Sequence, residues 1–358
     1  MMYVGVDVHK NVCRAAIVND EGDLVDEFSF RNSKRGIEDF MMRIEGFRDG
    51  VLVAVESTAN LWIRIYDSLE EHGIRVVLSN PSKTRLIAEA RVKTDRIDAR
   101  VLAQLLRADM LPLCFVPTRR QRDRRQFIRH RISLVRMRTE VKNRIHALLD
   151  RHGLRCPYPT LFSKKGVRWL RSLKLGFTDD AVLRSDLALL EALDMQIEFM
   201  NAKIAAVAVN DERVKLLMTM PGLGYFAASL LVAEICDINR FSSDKRLVAW
   251  AGLAPGVRQS GDKTVHGRIT KEGNRLVRWV MVQAAQTARL HDDRFREFYE
   301  RYSRRKGHQK AIVAVAHEML RIVYFMLKRN EVYRGGSGDL SLRKFNRLER
   351  VALVGLQA

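Results

Sequence analysis

From Met2 to about Met110, short apolar runs alternate with amphipathic helical stretches, a pattern that buries its apolar faces only as a sheet covered by helices. Tyr3 to Val8, Val12 to Val18 and Leu24 to Phe30 predict three strands joined by tight turns, the second turn being Asn19-Asp20-Glu21-Gly22. A helix is predicted from about Lys34 to Ile44. The strand Val51 to Val55, a helix near Leu61 to His72, the strand Arg75 to Ser79 and helices after Pro81 follow.

Four carboxylates stand out against this pattern. Asp7 closes the first strand run and Glu56 the fourth, while Asp95 and Asp98, three apart in a helical stretch, share one face. Taken singly, each has a bland reading as a cap, a loop residue or part of a solvated, salt-bridged face. Taken in order, strand, strand and helix, they look like a magnesium site, because hard divalent cations take oxygen ligands and phosphoryl transfer on nucleic acid uses such clusters. The order of elements also matches an α/β ribonuclease-H-like (RuvC-like) fold, in which the first strand, the fourth strand and a late helix carry the metal acids.

Charge names the substrate class. The chain of 358 residues carries 63 Lys plus Arg against 42 Asp plus Glu, a net charge of +21 whose field attracts polyanions, nucleic acid first. No apolar stretch is long enough to span a bilayer and no secretory leader is read, so a cytoplasmic protein without a membrane partner is expected. Cys13, Cys114, Cys156 and Cys236 are scattered without metal-ligand spacing, which points to reduced thiols rather than zinc or disulfides.

Beyond Pro117 no further strand is expected. Between Arg119 and Arg155 thirteen Lys or Arg stand against three acids, threaded on Phe127, Leu134, Val141 and Leu148 at seven-residue spacing. A second run repeats Leu183, Leu190, Ile197 and Ile204, with Leu193, Met200 and Val207 between. The two predict an antiparallel hairpin or an intermolecular coiled coil, with a plain helical bundle as the alternative. The basic excess makes Arg119, Arg124, Arg125, Arg129 and Arg136 candidate nucleic-acid contacts.

Near Val214 an apolar helix runs into Pro221-Gly222-Leu223-Gly224 and a second apolar helix, a helix-hairpin-helix pattern that would aim Gly222 and Gly224 at a phosphate. An ordinary glycine turn between packed helices is the competing reading. Further on, Ser260 lies in a glycine-flanked loop among Arg258, Lys263, Arg268 and Lys271, where a phosphate could be held and attacked. Most loop serines only form turns. The predicted organisation is a RuvC-like domain over 1–116, a basic helical region over 117–210, a mainly α domain with the hairpin and serine loop over 211–334, and a basic tail over 335–358 that starts at a glycine-rich opening.

The segments Gly5-Val6-Asp7, Val55-Glu56-Ser57-Thr58, Lys93-Thr94-Asp95-Arg96-Ile97-Asp98-Ala99, Pro221-Gly222-Leu223-Gly224, Ala251-Gly252-Leu253-Ala254-Pro255 and Arg258-Gln259-Ser260-Gly261 together resemble the insertion-sequence transposases that combine an N-terminal DEDD domain with a serine-bearing C-terminal domain, relatives of the pilin-gene DNA invertase. The resemblance spans nearly the whole chain. It implies that Asp7, Glu56, Asp95 and Asp98 hold magnesium and that Ser260 attacks a DNA phosphate to form a covalent phosphoserine. It also implies a structured guide RNA encoded by the element and a homo-oligomer, dimer or tetramer, whose active sites combine acids and serine from different subunits. Thr264 or Thr270 is the alternative to Ser260.

Three other readings compete. A hydrolytic junction resolvase would use the same acids to activate water without a covalent link. An actin-like sugar or acetate kinase also begins with Gly-x-Asp but needs glycine-rich phosphate loops, which are not evident here. A noncatalytic nucleic-acid scaffold would bind with strong salt dependence and never cleave.

Overall fold

The computed structural model describes the chain except for residues 48–49, 58, 88–94, 261–262, 336–337 and 358, and except for the side chains of 95–97, 257–260 and 263–266. It divides into two compact units, Met1–Val116 and Pro117–Ala358.

The first unit follows the predicted order of elements, with ends shifted by a residue or so. It consists of β1 (Met2–Asp7), β2 (Val12–Val18), β3 (Leu24–Arg31), α1 (Lys34–Glu45), β4 (Val51–Glu56), α2 (Trp62–Glu71), β5 (Arg75–Ser79), α3 (Pro81–Ile87) and α4 (Asp95–Arg107). The strands form one mixed sheet in the order β3-β2-β1-β4-β5; β3, β2 and β1 are antiparallel, whereas β1, β4 and β5 run parallel. Because side chains alternate along a strand, the sheet has two distinct faces. Val4, Val6, Val53 and Val55 pack with Ile37, Phe40, Ile65 and Leu69 of α1 and α2. The opposite face, with Tyr3, Leu52, Ala54 and Val77, packs on Leu102 and Leu106 of α4.

Gly5 sets how closely α4 lies on that face. A Cβ there would stand 2.1 Å from the Ala99 carbonyl oxygen and 2.5 Å from the Ala103 nitrogen, so only a residue without a side chain admits the helix backbone. Arg100 Nε donates to Glu27 of β3 at 3.0 Å, Gln104 Nε2 to the Gly22 carbonyl at 2.6 Å and Arg107 Nη1 to the Asp20 carbonyl at 3.0 Å.

The second unit contains α5 (Arg119–Arg151), α6 (Lys164–Ser172), α7 (Phe177–Ala208), α8 (Glu212–Met218), α9 (Tyr225–Ile235), α10 (Asp244–Trp250), β6 (Pro255–Ser260), β7 (Lys263–Ile269), α11 (Arg275–His291), α12 (Asp293–Lys306), α13 (His308–Arg329) and α14 (Gly338–Gln357). A capping box starts α5, with Gln121 N donating to Thr118 Oγ1 and Thr118 N donating to Gln121 Oε1. The helices α5 and α7 pair within the chain. Arg131 meets Asn201, Arg138 meets Asp194, Arg144 meets Asp186, and Arg151 with His152 meets Asp179. As one number rises the other falls, so this ladder fixes an antiparallel register.

The seam differs from the predicted heptad at two positions. Leu134, Val141, Leu148, Leu183, Leu190, Leu193, Ile197, Met200 and Ile204 are buried, but Phe127 is 44% exposed and Val207 is 47% exposed. A straight helix drifts by roughly 20° per heptad against a 3.5-residue repeat. At this end of the pair α5 and α7 also change partner, and Ile128, Ile132, Ala205 and Ala208 enter the core formed with α9 and α11.

Much of the charge on α5 is engaged internally. Glu234, the one acid of the apolar helix α9, is 1% exposed and accepts from Arg129 Nε at 2.8 Å and Arg129 Nη2 at 2.9 Å. Arg125 donates to the Ala233 and Glu234 carbonyls at 2.9 Å each. Arg124 reaches Asp211, and burial, which raises that carboxyl, is outweighed by hydrogen bonds from Arg213 and Arg124 that hold it down at about 2. Arg124, Arg125 and Arg129, all assigned to nucleic acid from sequence, are thus bound within the second unit, and Arg119 and Arg136 are exposed.

Two further expectations are corrected. Strands do not stop at Pro117, since β6 and β7 pair antiparallel from Pro255↔Ile269 to Ser260↔Lys263. The polar composition hid this hairpin, although a two-residue Gly-Asp between alternating residues is a hairpin signal. The basic tail is a helix, α14, with Leu348, Ala352 and Gly355 buried and Lys203 Nζ donating to the Gly355 carbonyl at 3.0 Å. Its Lys344 Nζ donates to the carbonyls of Met218, Met220 (2.7 Å) and Leu223 (3.1 Å), and burial pulls its pKa down to about 8.

Two outcomes test these contacts. Gly5→Ala should cost about 3 kcal/mol, since overpacking against a backbone cannot relax easily; an unchanged urea midpoint for the first unit would show that α4 can lift freely. Arg129→Gln should cost a similar amount, about 3 kcal/mol, by leaving a buried carboxylate short of its bidentate partner. Glu234→Gln in the same chain should recover part of that loss, and additive effects in a double-mutant cycle would count against the pair.

Candidate carboxylate centre and serine hairpin

Asp7 and Glu56 are the last residues of two neighbouring parallel strands, one step beyond the Val6↔Val55 pair. Asp7 lies two residues from Gly5 and Glu56 two from Ala54, so both side chains project from the face that α4 covers. The helix runs antiparallel to β1. Its C-terminal residues Gln104 and Arg107 bond to the β2–β3 turn at the start of β1, where Tyr3 pairs with Val18, while Ala99 and Ala103 straddle Gly5. Its first turn, with Asp95 and Asp98, therefore lies toward the end of β1 where Asp7 and Glu56 sit.

Asp7 is 4% exposed and His9 Nε2 lies 3.1 Å from its Oδ2. Burial pushes the Cys13 thiol up to about 11, against a hydrogen bond to the His9 carbonyl and with the charge of Asp7 adding to the rise. Ser79, the register partner of Glu56, is fully buried and its hydroxyl has no hydrogen-bond partner among the described residues. Two acids end adjacent strands and a third lies in the first turn of the covering helix, and their carboxylates are of the hard-oxygen type that a divalent cation takes. The Asp95 side chain and the Lys93-Thr94 segment lie outside the described residues, and among the described residues no group of three metal-ligating side chains is assembled.

Ser260 belongs to the second unit and ends β6, paired with Lys263 of β7. The side chains of Ser260, Arg258 and Thr264 lie outside the described residues; Arg268, Thr270 and Lys271 are exposed. The base of the hairpin is tied to the core. Thr270 N donates to the Ala254 carbonyl at 3.0 Å and Asn274 N to the Trp250 carbonyl at 2.8 Å. Asn274 caps α11 through Oδ1 and donates from Nδ2 to Glu234 Oε2 at 2.8 Å. One buried carboxylate thus links α5, α9 and the base of the serine hairpin. Sequence reasoning passed over Glu234 and Asn274; the available signals were a lone acid in an apolar helix, which demands a partner, and an Asn ahead of an apolar helical run.

The glycine turn has mixed surroundings. Gly222 takes φ +82, and a Cβ there would stand 2.2 Å from the Ala284 carbonyl oxygen, so its lack of a side chain serves packing against α11. Lys344 occupies the neighbouring carbonyls. Gly224 is exposed at the N-cap of α9. Among the described residues no helix is long and apolar enough to cross a membrane.

Two transposase family models match separate stretches of the chain. Residues 4–153 match the family DEDD_Tnp_IS110, described as a transposase, and residues 214–300 match the transposase family IS116/IS110/IS902. The chain is 26% identical to the transposase for insertion sequence element IS1111A of Coxiella burnetii over 93% of its length and 92% of that protein. It is 30% identical to the y4qE protein of Sinorhizobium fredii over 80% of this chain and 72% of that one, and 24% identical to the pilin gene-inverting protein of Moraxella bovis over 92% and 97%. The chain belongs to the IS110/IS116/IS902 family of insertion-sequence transposases.

Proposed function

We propose that this transposase cuts and rejoins DNA through a divalent-metal centre of Asp7, Glu56, Asp95 and Asp98 and a covalent link to Ser260. The observation that carries the reading is the Gly5 contact, which sets α4 antiparallel to β1 and puts its first turn at the edge where Asp7 and Glu56 end their strands. The strand order and senses support a ribonuclease-H-like first unit. A bound magnesium ion would supply Lewis-acid stabilisation of charge on the scissile phosphate. The acids would hold it there, and His9 would orient Asp7 through their hydrogen bond.

Ser260 Oγ would attack phosphorus: one P–O bond to serine forms, one P–O bond to a deoxyribose oxygen breaks, and that oxygen takes up a proton as the serine loses one. A hydroxyl of another strand then reverses the exchange, so the phosphodiester energy is retained. Arg268 and Lys271 near the hairpin base would bind flanking phosphates. The resemblance in sequence extends the reading to an element-encoded guide RNA and a homo-oligomer in the cytoplasm, for which RNA copurifying with the protein is the direct assay.

Asp98→Asn or Glu56→Gln should lower magnesium-dependent cleavage by roughly 100-fold or more while leaving DNA binding intact. Cleavage at the parental rate would remove the centre. Ser260→Ala should abolish the denaturation-resistant protein-DNA adduct, and peptide mapping of the unaltered protein should put the nucleotide on Gln259-Ser260-Gly261. Free 5′ and 3′ ends from Ser260→Ala would instead make water the attacking group.

A further inference from the structure

With Arg124, Arg125, Arg129, Arg138 and Arg144 engaged inside the second unit, an exposed basic surface lies elsewhere, at the corner between α12 and α13, just beyond the exposed acids Glu297 and Glu300. From Arg301 to Lys310 the chain carries five Lys or Arg and no acid, and every residue except Ser303 is exposed. We propose that this corner is a platform for an unpaired nucleic-acid strand, with one base stacked on Tyr302 and the flanking phosphates held by Arg304, Arg305, Lys306 and Lys310. The inference rests on the reading of the chain as a DNA-handling enzyme and adds to it a surface and a strand state.

The aromatic geometry comes first. Tyr302 is 39% exposed on a helix whose other face is packed, and its ring stacks on Phe298 with centroids 4.7 Å apart and an interplanar angle of 27°. Arg301 lies over the same pair, 5.4 Å from the Phe298 ring and 5.9 Å from Tyr302. An exposed ring pre-stacked from below and flanked by a guanidinium is what a splayed base uses, and every base has a face to offer it.

The charge pattern supplies the second argument. Arg304, Arg305 and Lys306 occupy the last turn of α12, where the helix dipole alone would favour cations. That account stops at Gly307. Lys310 sits in the first turn of α13, where the dipole disfavours a cation, and no side chain caps that helix. A positive charge kept against the dipole beside backbone amides that no side chain caps fits an anion bridging the corner. The corner is also held in shape: Tyr299 Oη and His308 Nδ1 lie 2.7 Å apart and Arg289 covers the Tyr299 ring at 4.6 Å.

The test uses the full chain and fluorescence anisotropy with three labelled probes, a short single-stranded DNA, the same sequence as RNA, and a blunt duplex, each across a salt series. Tyr302→Ala should weaken strand binding roughly tenfold or more while duplex binding holds, and Tyr302→Trp should restore it. The triple variant R304Q/R305Q/K306Q should flatten the logarithmic salt slope on the strand by about 2, near 0.7 for each phosphate that the protein no longer neutralises. The DNA and RNA arms identify which strand is the ligand by which one Tyr302→Ala releases. An unchanged slope in the triple variant, or equal effects of Tyr302→Ala on strand and duplex, overturns the platform while DNA handling stands. Absence of any binding by the unaltered protein would overturn both readings together.

Discussion

One contact between a strand and a helix backbone governs the geometry of the first unit. The Ala99 carbonyl and Ala103 nitrogen approach Gly5 so closely that any side chain there would force α4 off the sheet, and the contacts of Arg100, Gln104 and Arg107 along β3 and the β2–β3 turn fix its direction. The carboxylates inherit their placement from that contact. Asp7 and Glu56 are set side by side by strand register, and the direction of α4 turns its first turn toward that same edge of the sheet. Placement of this kind rests on packed secondary structure rather than on loops.

In the second unit a single buried charge plays the organising part. Burying Glu234 in an apolar helix is costly unless it is met by matched donors, and the donors come from α5 and from the cap of α11. The basic helix is therefore in large part a structural element, its arginines committed to α7 and α9. A strongly basic sequence and a strongly basic free surface are different quantities, and the difference lies in where the acids of the chain fall in space.

The strands and helices of the first unit were legible because period-2 and period-3.6 patterns are local, and the carboxylates at strand ends were legible for the same reason. Phe127 and Val207 fell outside the seam because a long helix changes partners along its length, which no heptad records. The serine segment read as a loop because its strands are polar, and β6 and β7 pair only with each other. The roles of Arg125 and Arg129 depend on Glu234, more than a hundred residues away in the chain, and long-range pairing of that sort leaves no periodic trace. The C-terminal helix was missed because a glycine-rich opening resembles the start of a tail, although Leu348, Ala352 and Gly355 fall on one face at helical spacing.

The distance in sequence between Lys344 and the glycine turn it meets has a consequence for the order of assembly. The carbonyls of Met218, Met220 and Leu223 are made more than a hundred residues before the amine that satisfies them. The helices α8 and α9 and the glycine turn between them are close in sequence, whereas the amine that seals the turn arrives only with α14. Closure of that turn is thereby a long-range event tied to the docking of α14, so that a polypeptide interrupted short of α14 holds its glycine turn without the lysine that seals it.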